Sequence, residues 1–249
     1  MGHDADPTYG DRIAHRYDEI HRHLEAETPG TVDFLASLAR GRALELGTGT
    51  GRVALPLADM GVEVHGIESS QARVERMSAK ARGRTIPVTI GNFADVGGDG
   101  PFSLIFVVFN TFFALTDPEE QIRCLRNVER ALTEDGVFVV EAFVPDPTRF
   151  DRGQRMSVIG LEEDAVLFDA STHDAVHQRV DTRHVWISED GVELFPVSLR
   201  YVWPSELDLM ARLAGMNLRE RWGGWRREPF VDSSARHVCV YERAAAAYL

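Results

Sequence analysis

Glu45-Leu46-Gly47-Thr48-Gly49-Thr50-Gly51-Arg52 follows a short apolar run and precedes a stretch that reads as helix to Met60. Three glycines at alternate positions exceed what a tight strand-to-helix turn needs. Glycine lets the backbone turn sharply and lets a ligand lie against bare peptide groups. A dinucleotide loop wants G-x-G-x-x-G, so that pyrophosphate sits at the helix N-terminus. Here the third glycine would fall at Arg52. Glu45, just before the turn, would repel pyrophosphate but suits a cationic ligand carrying an ammonium group. A second acid, Glu68, ends the next strand, 17 residues after Gly51. In a doubly wound sheet both acids stand at the carboxyl edge of adjacent strands, where ligands bind. Glu68 is placed to accept two hydrogen bonds from a ribose diol.

Around the turn, residues 42–147 alternate strand and helix. Val62–Ile67, Val88–Ile90, Leu104–Phe109 and Val137–Val144 read as strands. Ser70–Lys80 and Pro118–Leu132 read as helices. Leu104–Phe109 is apolar throughout, as in a strand buried on both faces. The alternation predicts an α/β fold with a doubly wound, mostly parallel seven-stranded sheet. Before it, residues 1–41 read as a helical cover. Ile13, Tyr17, Ile20 and Leu24 form one stripe of a helix over Asp11–Glu25, broken by Thr28-Pro29-Gly30 before a second short helix. After it, residues 148–203 read as an antiparallel β lid. Three strands are expected, Ala165–Phe168, Val176–Ile187 and Glu193–Trp203, with turns at Thr172-His173-Asp174 and Ser188–Gly191. Residues 204–249 return to the main sheet, starting with a helix capped by Ser205.

The stretch Ala43–Gly61 resembles motif I of the class I S-adenosylmethionine-dependent methyltransferases, and Glu68 falls where that family holds the ribose. Gly91-Asn92-Phe93-Ala94-Asp95, Phe109-Asn110-Thr111 and Thr133–Gly136 follow in the family's order. The resemblance covers Asp11–Pro147 well and the part from Trp203 in general shape. It implies a transferase that binds S-adenosylmethionine, releases S-adenosylhomocysteine, and methylates O or N of a small molecule, in the manner of secondary metabolism. Its implied cofactor residues are Tyr17, Glu45, Gly47, Thr48, Gly49, Gly51, Arg52, Glu68, Ser69, Asn92, Phe93 and Phe109. Asn110, Phe113, Arg200, Trp203 and Trp225 are the candidate acceptor contacts. Relatives often have Asp where Asn92 stands, and the Asn/Asp-Pro-Pro-Tyr/Phe motif is absent after the fourth strand. No residue announces itself as a general base. Glu141, inside a buried strand, reads as a hydrogen-bonded structural acid. The alternatives are an RNA or protein methyltransferase and a non-catalytic module binding a nucleotide cofactor, a nicotinamide enzyme included.

The remaining composition narrows the classes. The 249 residues carry a net charge of −12, which disfavours a phosphate-backbone partner, although Arg149, Arg152 and Arg155 cluster. No apolar run approaches the roughly 20 residues of a membrane span. Met1–Asp6 reads as neither signal peptide nor myristoylation site. Nine histidines show no ligand spacing such as HExxH, so no metal is expected. Cys124 and Cys239 read as buried free thiols of a cytoplasmic protein. Nothing in the composition sets an oligomeric state.

Overall fold

The computed structural model describes residues 7–95 and 100–245. The N-terminal hexapeptide and the end of the Ala244–Ala247 tract lie outside these. Along the chain, α1 (Pro7–Ile13), α2 (Tyr17–Ile20) and α3 (Thr28–Leu38) precede β1 (Ala43–Leu46). Then come α4 (Ala54–Asp59), β2 (Val64–Glu68), α5 (Gln71–Lys80), β3 (Val88–Ile90), β4 (Phe102–Val107), α6 (Pro118–Ala131) and β5 (Leu132–Phe143). β6 (Gln154–Leu161), β7 (Ala165–Asp174), β8 (Arg179–Ser188) and β9 (Gly191–Arg200) make a second sheet. α7 (Pro204–Leu213), β10 (Met216–Trp222) and β11 (Arg236–Arg243) follow.

The main sheet has the order β10-β11-β5-β4-β1-β2-β3, with β11 antiparallel to both neighbours and the other pairings parallel. β4 shows why the sheet is covered twice. Ile105 and Val107 join the layer under α6 and α7, while Leu104 and Phe106 join the layer under α3, α4 and α5. Alternate residues of a strand point to opposite faces, so an unbroken apolar run needs helices on both. No helix among the described residues is long and apolar enough to cross a membrane.

The N-terminal segment differs from the expected single helix. It breaks at Ala14–Arg16 and again after Ile20, giving α1, α2 and a 3-10 turn at Arg22–Leu24. The breaks let it touch two bodies at once. Ile13 and Ile20 pack on Leu167, Trp186 and Phe195 of the small sheet, and Arg16 pairs with Glu193 at 2.9 Å. On the other side, Asp18 accepts from Thr50 Oγ1 at 2.5 Å and Asp11 from Ser70 Oγ at 2.6 Å. Thr28-Pro29-Gly30 starts α3 instead of breaking the chain, with Pro29 in the first turn where a missing N–H is tolerated.

The small sheet has four strands, not three. β6 escapes a sequence reading because its apolar side chains face outward; Met156 and Val158 are 72% and 63% exposed. Thr172-His173-Asp174 lies within β7, and the reversal falls after it, where Asp174 Oδ1 accepts from Val176 N and His177 N at 3.0 and 3.1 Å. Trp203, not Ser205, stands before α7, and Glu206 accepts from its N–H. The chain leaves and re-enters the main body at Phe143 and Tyr201, whose rings lie 6.4 Å apart.

Candidate functional site

Gly47, Gly49 and Gly51 all have positive φ, +74°, +60° and +82°. A Cβ on Gly51 would lie 2.5 Å from Met77 Cγ, so the turn packs directly on α5. Glu68 crosses over to hold the turn from the other side. Its Oε2 accepts from Gly49 N at 2.8 Å, and its Oε1 from Ser70 N at 3.0 Å and Ser69 Oγ at 3.4 Å. The ends of β1 and β2 thus become one rigid cradle with a carboxylate at its centre.

Glu45 is 2% exposed, and its Oε2 has no hydrogen-bond partner among the described residues. Burial pushes its carboxyl up from 4.5 to about 8, against the pull of Arg52 and the Ala54 N–H. A buried carboxyl oxygen without a partner is costly, and a ligand ammonium would satisfy it. The cradle therefore fits a group with both a diol and an ammonium. Binding such a cation favours the ionised carboxyl. Affinity for S-adenosylhomocysteine should thus rise several-fold between pH 6.5 and 8, with proton release, and Glu45→Gln should flatten that slope. Calorimetry in buffers of different ionisation enthalpy measures both. The stability sign is opposite: the native fold keeps a proton that the unfolded chain sheds above 4.5, so unliganded stability should fall as pH climbs toward about 8.

Tyr17 starts α2 beside this cradle. The Arg73 guanidinium lies 4.5 Å from its ring centre, and burial pushes its hydroxyl up. Arg52 donates to Thr28 Oγ1 at 3.1 Å. His21, one helical turn after Tyr17, stacks edge-on with it at 4.5 Å and with Phe109 at 5.1 Å. Burial lowers His21 from 6.5 to about 3, aided by the positive groups around it, so it stays neutral. Phe109 and Asn110 both take left-handed backbone, φ +53° and +62°. That strain is held by Glu141, whose Oε2 accepts from Phe109 N at 2.9 Å, and by Asn110 Oδ1, which accepts from Phe143 N at 2.7 Å. Glu141 Oε1 also accepts from Trp225 Nε1 at 3.0 Å, consistent with a structural acid.

Tyr17, Glu45, Thr48, Arg52, Glu68, Ser69 and Phe109 thus gather around the glycine turn and its cover. Asn92 and Phe93 stand after β3; the Asn92 amide oxygen accepts from Ala94 N at 2.9 Å, and Phe93 is buried. Among the candidate acceptor contacts, three have close partners within the protein. Phe113 is fully buried against Phe143. Arg200 is clamped by Gln121, Gln178 and Glu206. Trp225 lies against Phe34, its N–H taken by Glu141. Trp203 is 39% exposed, beside Tyr201.

Sequence reasoning missed His21, His184 and Asp169. His21 had a signal, its four-residue spacing from Tyr17. His184 and Asp169 had none, because their pairing depends on a hairpin register set by the misplaced turn. A cavity of about 170 Å³ lies between the small sheet and the end of β5, walled by Phe143, Phe150, Arg149, Arg155, Asp169 and Tyr201. Among the described residues no group of three His, Cys, Asp or Glu side chains is set to hold a metal ion. Turnover should accordingly be unchanged after EDTA treatment and desalting; loss restored by a divalent ion would reverse this.

Residues 43–136 match the model of a methyltransferase domain family. The chain is 27% identical to a cypemycin N-terminal methyltransferase from a Streptomyces species, over 96% of this chain and 99% of that one. It is 42% identical to the CcbJ methyltransferase of Streptomyces caelestis, whose structure superposes with a TM-score of 0.89 over 96% of this chain and 98% of that one. The sugar N-methyltransferase KedS8 from a Streptoalloteichus species shares the fold, with a TM-score of 0.68 at 18% identity over 92% and 93%.

Proposed function

Because this chain belongs to the class I S-adenosylmethionine-dependent methyltransferases, we propose that it methylates a small natural-product intermediate on an amine nitrogen or an oxygen. The cavity under the small sheet carries this reading. Its volume of about 170 Å³ suits a ring-sized group or a chain end, not a nucleic-acid helix or a folded protein surface. An amine ranks first because the full-length relative acts on an N-terminus.

S-adenosylmethionine supplies an electrophilic methyl on a sulfonium. The protein's own part is binding, alignment and exclusion of water. Glu68 would take the ribose hydroxyls and Glu45 the ammonium. The N-terminal segment covers the turn through Asp18 and Thr50, with Tyr17 buried beside Arg73 and His21. The two free thiols are buried, in keeping with a cytoplasmic location.

The test has two arms. Calorimetry should give micromolar affinity for S-adenosylhomocysteine, about −8 kcal/mol, and no heat with NAD. Native enzyme, S-adenosylmethionine and a panel of amines, amino sugars, N-terminal peptides, phenols and short RNA should then be read by mass spectrometry. Methylation of RNA alone would overturn the small-molecule reading.

A further inference from the structure

The register of the small sheet puts one set of side chains on its inner face: Ser157 of β6, Asp169 and Ser171 of β7, Thr182, His184 and Trp186 of β8, and Phe195 of β9. That face has three zones. At one end Trp186, Leu167 and Phe195 grip Ile13 and Ile20 of the cover. At the other, Ser171 and Thr182 share a 2.8 Å hydrogen bond and line the cavity. Between them His184 and Asp169 stand directly opposite, with His184 Nδ1 to Asp169 Oδ1 at 2.5 Å.

The pair is not needed to hold the strands. β7 and β8 already form a ladder running without a break from Ala165↔Ser188 to Asp174↔Arg179. Its placement has a different consequence. Asp169 lines the acceptor cavity, and the His184 ring faces His21 at 6.1 Å, at 85° to it. His21 in turn touches Tyr17 and Phe109. The dyad therefore lies where the acceptor cavity meets the cover over the cofactor turn. Asp169 fixes the tautomer by accepting a hydrogen bond from Nδ1–H, and its charge offsets the one that a second proton would bring. Nε2 is left without a protein partner among the described residues.

We propose that His184, positioned by Asp169, is the proton acceptor of the methyl transfer. As the attacking nitrogen forms its bond to the methyl carbon, the C–S bond breaks and its electron pair stays on sulfur. The nitrogen's proton passes to His184 Nε2, and the imidazolium returns it to water when product leaves. On Asp169's side of the cavity stand Arg155 of β6, Arg149, Asp146 and His173; on the cover side the dyad faces His21, which itself lies in the field of His23, Arg52 and Arg73. His21, buried and ringed by positive groups, does not compete for the proton. This rests on the amine-acceptor reading above.

The experiment separates the two. The first arm uses S-adenosylhomocysteine-loaded enzyme labelled with 15N-histidine and needs no acceptor. His184 should show a proton on Nδ1 and none on Nε2 at pH 7.5, and Asp169→Asn should disturb that tautomer. A His184 protonated on Nε2 alone at that pH overturns the proposal. The second arm uses whichever panel amine the native enzyme methylates. His184→Ala should lower kcat by roughly a hundredfold or more, with S-adenosylhomocysteine affinity unchanged and turnover partly restored by added imidazole. Asp169→Asn should displace the acidic limb of the pH profile. A His184→Ala enzyme with native kcat and pH profile overturns the proposal. If no amine is methylated, the acceptor class fails, and the first arm still judges the dyad.

Discussion

Glu68→Ala should weaken S-adenosylhomocysteine binding by roughly a hundredfold. A carboxylate holding two hydroxyls makes charge-assisted hydrogen bonds of about 1.5 kcal/mol or more each, and every 1.4 kcal/mol is about tenfold. The side chain also organises the cradle, because Gly49 N and Ser70 N both donate to it. Removing it leaves those two N–H groups to find water. Glu68→Gln keeps an acceptor for Gly49 but loses the charge, so it should fall between the native and alanine enzymes. Calorimetry reads the constants, and circular dichroism should show the fold intact. An alanine variant with the native dissociation constant would place the ribose elsewhere.

Glu141→Ala should destabilise the fold by about 3 kcal/mol. The substitution strands the buried Trp225 Nε1 and the half-buried Phe109 N, and an unpaired buried donor costs about 1–3 kcal/mol. Arg236 is not stranded, since Glu27 also holds it. For a chain of this size each kcal/mol moves Tm by about 2–4 °C, so a fall of roughly 6–12 °C is expected. Glu141→Gln retains one acceptor and should recover part of it. The loss should reach the site as well, because Glu141 holds Phe109 in its strained backbone beside His21. Differential scanning calorimetry and urea titration measure the effect; a Tm within a degree of native would mean water replaces the carboxylate at no cost.

The parts of this molecule that the sequence makes legible are those set by neighbours in the chain. The glycine turn shows because Gly47, Gly49 and Gly51 need left-handed backbone, and Glu68 because it ends the strand next to the turn. The apolar run of β4 announces a sheet covered twice. The cover was half legible. Its stripe at Ile13, Tyr17, Ile20 and Leu24 marks a buried face, but periodicity does not reveal that Ala14–Arg16 breaks the helix so that Arg16 can reach Glu193. The dyad was not legible. Asp169 meets His184 only because Asp174 closes the hairpin one turn later than Thr172-His173-Asp174 suggests. Arg200, Phe113 and Trp225 read as acceptor contacts because their types suit binding; the protein partners that also hold them lie far away in sequence, where no local pattern shows them.

Phe143 and Tyr201 meet where the small sheet leaves and rejoins the main body, and this bears on how such an enzyme changes its acceptor over time. The four strands between those two rings form a cassette outside the strand order of the parent sheet. The cassette is not autonomous, however. Trp186 and Glu193 are docked on Ile13 and Arg16, about 170 residues away along the chain. Recombination that swaps residues 154–200 alone would leave that apolar seat and its ion pair mismatched. Acceptor preference in this lineage should therefore be inherited as two separated blocks that vary together, and an engineer transplanting specificity would move residues 7–24 with the sheet they hold.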